Sequence, residues 1–143
     1  RYNIRPDLHQ FLNTMSKYFE IVIFTAATSD YADNIIDQFD FLHRVSHRLY
    51  REHTTPIEGA YTKDLNKLGR EIEKTIIVDN LAENFENQPR NGIEINSWYD
   101  NMDDVTLSDL GLLLEEIVLK KPSDLRIQLD KYRDTFAKYI STG

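Results

Sequence analysis

Two short apolar runs constrain this chain more than anything else in it. IVIFTA (residues 21–26) and TIIV (residues 75–78) are rich in β-branched and aromatic side chains, and neither alternates with polar residues. Runs of that kind read as strands buried on both faces, the habit of parallel sheets covered by helices. Around them the apolar period changes. Leu8, Phe11, Leu12, Met15 and Phe19 share one helical face behind Pro6 and Asp7. Ala32, Ile35, Ile36 and Phe39 share another, with Ser29 placed to cap it. Thr106 and Asp109 open a third helix along Leu107, Leu110, Leu113, Leu114, Ile117 and Val118. Pro122 and Ser123 open a last one, over residues 122–140, whose face carries Leu125, Leu129, Tyr132, Phe136 and Tyr139. SHRLYRE and GAYTKDL read as two short strands joined by a turn in HTTPIEG, where Pro56 and Gly59 are the signals. LNKLGREIEK reads as a helical turn, LAENFENQP as a short helix ended by Pro89, and NGIEIN as a third strand. Helix and strand in that rhythm predict an α/β fold with a mostly parallel sheet flanked by helices.

The 143 residues suit a single domain, 1–143. There is no cysteine, so disulfides and thiolate metal sites are excluded. A net charge of −7 supplies no global basic field, so direct binding to nucleic acid is not expected. No apolar stretch approaches the ~20 residues of a membrane-spanning helix, and a soluble domain is expected. Composition does not fix the compartment; an intracellular setting, nuclear or cytoplasmic, is favoured.

Open parallel sheets bind ligands beyond the carboxyl ends of their strands. There the first run delivers Thr25, the second delivers Asp79 and Asn80, and AYTK ends on Lys63. If the strands lie parallel and close, a hydroxyl, a carboxylate, an amide and an ammonium converge. Phosphoryl transfer asks for such a set, because it needs charge neutralisation and positioning above all. Mg²⁺ suits it too, since that ion takes oxygen ligands and often only one or two from protein. Ordinary readings stand beside these. An Asx pair after a strand commonly caps the next helix. Thr25 alone is a normal strand residue, Lys63 alone a solvated lysine, and Tyr31 and Arg51 say no more singly. His43 and His47 stand four apart, but HRVSH has no glutamate between them, against a zinc-protease helix. WYDNMDD is acidic without the oxygen spacing of a calcium loop and reads as a turn.

FTAATSDYAD, LYREH, YTKDLNKLGRE, IIVDN and SWYDNMDDVTLSDL occur in that order and at sensible distances. Together, over roughly residues 4–118, they resemble the small C-terminal-domain phosphatases, the NLI-interacting-factor-like branch of the haloacid dehalogenase superfamily. The resemblance implies a Rossmann-like haloacid dehalogenase fold with a small β-hairpin insertion, residues 43–63, over the active site. It implies that Thr25 binds phosphate, that Lys63 is the lysine of the third motif, and that Asn80 ligates Mg²⁺. Asp79 would support both metal shell and lysine, and Tyr31 and Arg51 would contact the substrate peptide. The implied reaction is hydrolysis of phosphoserine or phosphothreonine through an aspartyl-phosphate. Its substrates would be phosphoproteins or phosphopeptides, the C-terminal tail of RNA polymerase II among them. The family's nucleophile is the first aspartate of an Asp-x-Asp motif on a preceding strand, and no Asp-x-Asp occurs in this sequence. The chain is therefore expected to be a phosphatase domain without its N-terminal strand, inactive alone. Two alternatives remain. A two-component receiver domain gathers similar groups, but its phosphoacceptor aspartate precedes the threonine and its lysine comes last. A non-catalytic binding module on the same fold, like the mitochondrial presequence receptors, would suit an acidic chain but tends to depart from the Asp-Asn pair.

Overall fold

In the computed structural model, which describes residues 4–141 and the side chains of residues 4–133, the chain divides into two units. Phe136 and Tyr139 of the expected last helical face lie outside the described side chains. Residues 4–54 with 98–115 form the first unit, and residues 55–97 with the stretch from 116 onward form the second.

In the first unit, helix α1 (Leu8–Met15) buries Leu12 and Met15, and helix α2 (Ser29–Phe39) buries Ala32 and Ile36. Helix α3 (Thr106–Leu119) contributes Leu107, Leu110 and Leu114. These are the faces that the 3.6-residue period marks out. The ring of Phe11 lies so near α3 that a methyl at Gly111 would sit 3.4 Å from it. Strand β1 (Val22–Phe24) pairs in parallel with β2 (His47–Leu49), Val22 opposite His47 and Phe24 opposite Leu49.

That pairing corrects the sequence reading. SHRLYRE does not form a hairpin with GAYTKDL; its strand runs alongside β1. The residues of IVIFTA are half-buried rather than buried on both faces, since β1 has one partner strand among the described residues. One smaller correction follows. The α2 N-cap position is Thr28, one residue before Ser29. Thr28 gives its hydroxyl to Asp30, which holds that carboxyl below its usual range together with bonds from the Tyr31 and Asp30 backbone. His43 sits in a left-handed turn (φ 55°) and His47 in a strand, so the two never share a helix face.

The second unit opens with the hairpin β3 (Thr55–Ile57) and β4 (Ala60–Thr62), antiparallel with Pro56 opposite Tyr61. Glu58 and Gly59 both take positive φ, 48° and 84°, as a two-residue hairpin turn matched to strand twist requires. Two 3-10 turns, Leu65–Leu68 and Ile72–Lys74, lead to β5 (Ile77–Asp79). Two more, Ala82–Phe85 and Pro89–Asn91, stand where a short helix was expected, and then β6 (Gly92–Glu94) lies parallel to β5. Leu65, Ile77 and Phe85 form the core of this unit, with Leu68 and Ile72 against them. Asn91, buried, donates its amide to the carbonyls of Ile72 and Thr75, each at 2.8 Å, and so fixes the entry to β5. Helix α4 (Leu125–Ser141) buries Leu125 and Leu129 and meets the second and fourth of these turns. No helix among the described residues is long and apolar enough to cross a membrane.

Candidate active site

The site of the second unit begins where β4 and β5 end. Lys63 follows β4, and Asp79 is the last residue of β5; both are buried. A buried ammonium or carboxylate is costly unless it is paired and hydrogen-bonded. These two satisfy that condition with each other, Lys63 Nζ donating to Asp79 Oδ2 at 2.6 Å. Oδ1 accepts from the Leu81 backbone N–H and from Asn84 Nδ2, both at 3.1 Å. The ordinary reading of Asp79 therefore holds for one oxygen, which shapes the turn after the strand, while the other oxygen takes the lysine.

Asn80 is exposed and donates Nδ2 to Ser97 Oγ at 2.9 Å. With the nitrogen so committed, Oδ1 is the atom left to face a cation. The surrounding backbone is tied down as well. Ile95 N–H bonds the Asp79 carbonyl at 3.0 Å, and Ala82 N–H bonds Glu94 Oε2 at 2.9 Å. On the other flank, Gln88 Oε1 accepts from Leu65 N–H at 2.9 Å while its Nε2 donates to Asp64 at 2.8 Å. Gln88 thus grips the chain just after Lys63.

No group of three or more metal-ligating side chains is gathered among the described residues. The donor chemistry still fits a hard cation in a limited way. Asn80 offers one neutral carbonyl oxygen, and Asp79, its oxygens already accepting three protein donors, is suited to hold a water of the ion rather than the ion itself.

The first unit holds the other three predicted residues. Thr25 follows β1; its N–H bonds the Leu49 carbonyl at 2.9 Å, and its Oγ1 accepts from Ala27 N–H at 3.0 Å. Accepting through oxygen leaves the hydroxyl its own proton to donate. Arg51 closes the same turn from outside, Nε on the Ala26 carbonyl at 2.7 Å and N–H on the Ala27 carbonyl at 3.1 Å. Tyr31 lies exposed in the first turn of α2. Thr25 and Arg51 are therefore brought together, as Lys63, Asp79 and Asn80 are, each set within its own unit.

Sequence reasoning missed the residues that support these groups. Arg48 bridges Asp33 at 2.9 Å and Asp37 at 2.7 Å, and the Tyr50 hydroxyl also donates to Asp33. Tyr50 and Arg48 together hold the Asp33 carboxyl below its usual range, and Asp33 in turn raises the Tyr50 phenol. This network locks β2 onto α2 and so places Arg51. No period or spacing marks it, because its members are polar residues on element surfaces.

The profile of NLI interacting factor-like phosphatases matches residues 1–126. The chain belongs to the NLI interacting factor-like phosphatase family. A probable C-terminal domain small phosphatase of Dictyostelium discoideum is 42% identical over 130 residues, covering 91% of this chain and 42% of that protein. The human carboxy-terminal domain RNA polymerase II polypeptide A small phosphatase 2 is 39% identical over 113 residues, covering 79% of this chain and 42% of its own. The chain thus spans less than half the length of these relatives. A solved structure of the fission yeast RNA polymerase II CTD phosphatase Fcp1, bound to beryllium fluoride, superposes with a TM-score of 0.58 at 18% identity, over 98% of this chain and 35% of that one. That likeness carries the fold: within this phosphatase family the chain has the haloacid dehalogenase architecture, with its α/β elements arranged in small sheets.

Proposed function

We propose that this chain supplies the phosphate-handling part of a Mg²⁺-dependent protein serine/threonine phosphatase. The observation that carries the reading is the buried Lys63–Asp79 pair, its ammonium held 2.6 Å from the carboxylate at a strand end, with the exposed Asn80 next in the chain. Family membership supports it. A lysine fixed before substrate arrives stabilises developing charge without reorganising at the moment of reaction. One of its three donors is spent on Asp79, and the others suit a phosphoryl oxygen. Thr25 would serve as the phosphate ligand that the family resemblance implies, and Arg51 and Tyr31 as the residues that contact the peptide.

Bound Mg²⁺ would offset phosphate charge, with Asn80 Oδ1 as ligand and Asp79 holding a water of its shell. The nucleophile is the first aspartate of an Asp-x-Asp that these 143 residues do not contain. Its carboxylate would form the bond to phosphorus as the serine or threonine oxygen leaves, taking a proton from the second aspartate of that motif. Water would then cleave the aspartyl-phosphate to free phosphate. The relatives' names make a phosphorylated polymerase-tail peptide the first substrate to try.

The test is phosphate release from a phosphoserine peptide by the protein extended to include an Asp-x-Asp strand. Release that requires Mg²⁺ and stops with EDTA is expected, with none from residues 1–143 alone. An extended protein that binds the peptide without hydrolysing it would instead mark a binding module, and EDTA-resistant turnover would remove the metal from the mechanism.

A further inference from the structure

We infer that Asn84 is the positioning residue of this site, clamping Lys63 and Asp79 at once. The inference rests on reading that pair as the phosphate-handling machinery. Two hydrogen bonds made by one residue carry it. The Asn84 carbonyl accepts the Lys63 backbone N–H at 2.7 Å, which fixes the root of the lysine side chain. Its Nδ2 donates to Asp79 Oδ1 at 3.1 Å, which fixes the rotation of the carboxylate. Lys63 and Asp79 are 16 residues apart in the chain, and among the described residues Asn84 bonds to both.

Asn84 is itself held. It lies in the 3-10 turn Ala82–Phe85, between Ala82, whose N–H is bound by Glu94, and Phe85, which is buried in the core of the unit. Its own N–H bonds the Leu81 carbonyl at 3.1 Å. The side-chain type matters because Asp79 already faces an ammonium through Oδ2. A neutral amide donor orients Oδ1 without adding a charge that would compete with lysine or repel phosphate. Without that donor, the carboxylate is held by the Leu81 N–H alone on that side and can turn, carrying Lys63 with it. A displacement of about 1 Å at a reacting group can cost on the order of a hundredfold in rate.

The test compares Asn84→Ala with the isosteric Asn84→Asp in the phosphatase extended by its Asp-x-Asp strand. Asn84→Ala is expected to lower kcat about tenfold with KM changed less than about twofold. Asn84→Asp places a second anion against Asp79 and is expected to lower kcat roughly a hundredfold near neutral pH. Its rate relative to wild type should recover as the pH is lowered, because a protonated carboxyl again donates, while the Ala ratio stays flat. A purely structural role would give two flat ratios, and that result overturns the inference, as does a loss confined to KM. A second measurement needs no turnover: the NMR signal of the Lys63 ammonium, which persists while its ion pair slows proton exchange. It should weaken in Asn84→Ala and further in Asn84→Asp. If the wild type proves not to be a phosphatase, that signal alone decides for or against the clamp, and an unchanged signal in both variants rejects it.

Discussion

Each unit of this protein holds a well-buried ion pair among its described residues, and the two are built differently. In the first, Arg5 meets Asp104 with both Nε and Nη2, at 2.8 and 3.2 Å, to two carboxylate oxygens. In the second, Lys63 meets Asp79 through one contact at 2.6 Å. A forked guanidinium on a carboxylate is a fastening, planar and specific in direction. Asp104 adds the Thr106 hydroxyl at 3.2 Å, so this pair secures the start of α3 and the segment before α1. A lysine is a point charge with donors to spare. The first pair is a two-pronged clamp between segments of the fold, whereas the second is a single contact from an ammonium with three donors. Burial alone does not separate a structural pair from a functional one; the geometry of the contact, forked or single, is what differs between these two.

The largest effect should come from breaking the second pair. Lys63→Met would abolish measurable phosphopeptide turnover in the extended protein. It would also destabilise the fold by about 2–4 kcal/mol, since it strands a buried carboxylate with only the Leu81 and Asn84 donors. Lys63→Met combined with Asp79→Leu should recover much of that stability and none of the activity, because two apolar residues leave no uncompensated charge. Denaturant melts and a phosphate-release assay on the three proteins separate the two losses. Activity retained in Lys63→Met would place Lys63 with the fastenings.

A smaller effect tests how the second pair is carried. Phe85 follows Asn84 in the chain, and a methyl at Gly92 would lie 2.0 Å from its ring. Gly92→Ala must therefore push the ring, and with it the turn that presents Asn84. A loss of about 1–3 kcal/mol in stability is expected from overpacking. The phosphatase rate should fall with it, while Gly111→Ala, whose methyl would meet Phe11 only at 3.4 Å in the first unit, should leave the rate near wild type. A rate that survives Gly92→Ala would show the pair to be held independently of that turn.

These contrasts also show how far the sequence could be read. Helical faces were legible because burial repeats with the helix period, from Leu12 and Met15 to Leu110 and Leu114. The β1–β2 pairing was not, since a parallel partner 25 residues away leaves no local mark, and SHRLYRE resembles half of any hairpin. Pro56 misled in the other direction. It signals a turn in most settings, yet a two-stranded hairpin consists of edges, where proline is tolerated, and the true turn is Glu58–Gly59. At the site, Lys63, Asp79 and Asn80 could be named because they end strand-like runs and a family pattern then singles them out. Asn84 could not. An asparagine in LAENFENQ has the pattern of any surface turn, and its two bonds exist only once β4 and β5 are in place.

The smallest effect belongs to the fastening, and acid measures it. Arg5 holds the Asp104 carboxyl below its ordinary value of 3.8, chiefly by hydrogen bonding, against the opposing effect of burial. A carboxyl with a depressed value in the folded state adds stability that is complete above the unfolded value and is lost as the pH falls through the folded one. The advantage of the wild type over Asp104→Asn should therefore be constant from neutral pH down to about 5 and shrink below about 4. Melting curves of both proteins from neutral pH down to pH 3 give the answer directly. Asn keeps the shape of Asp104 and one acceptor for Arg5, so the difference at neutral pH reports the charge-assisted part of the pair, on the order of 1 kcal/mol. If the gap between the two proteins stays the same at pH 3, Asp104 is not the acid-sensitive partner. The contrast between the two pairs would then rest on their geometry alone.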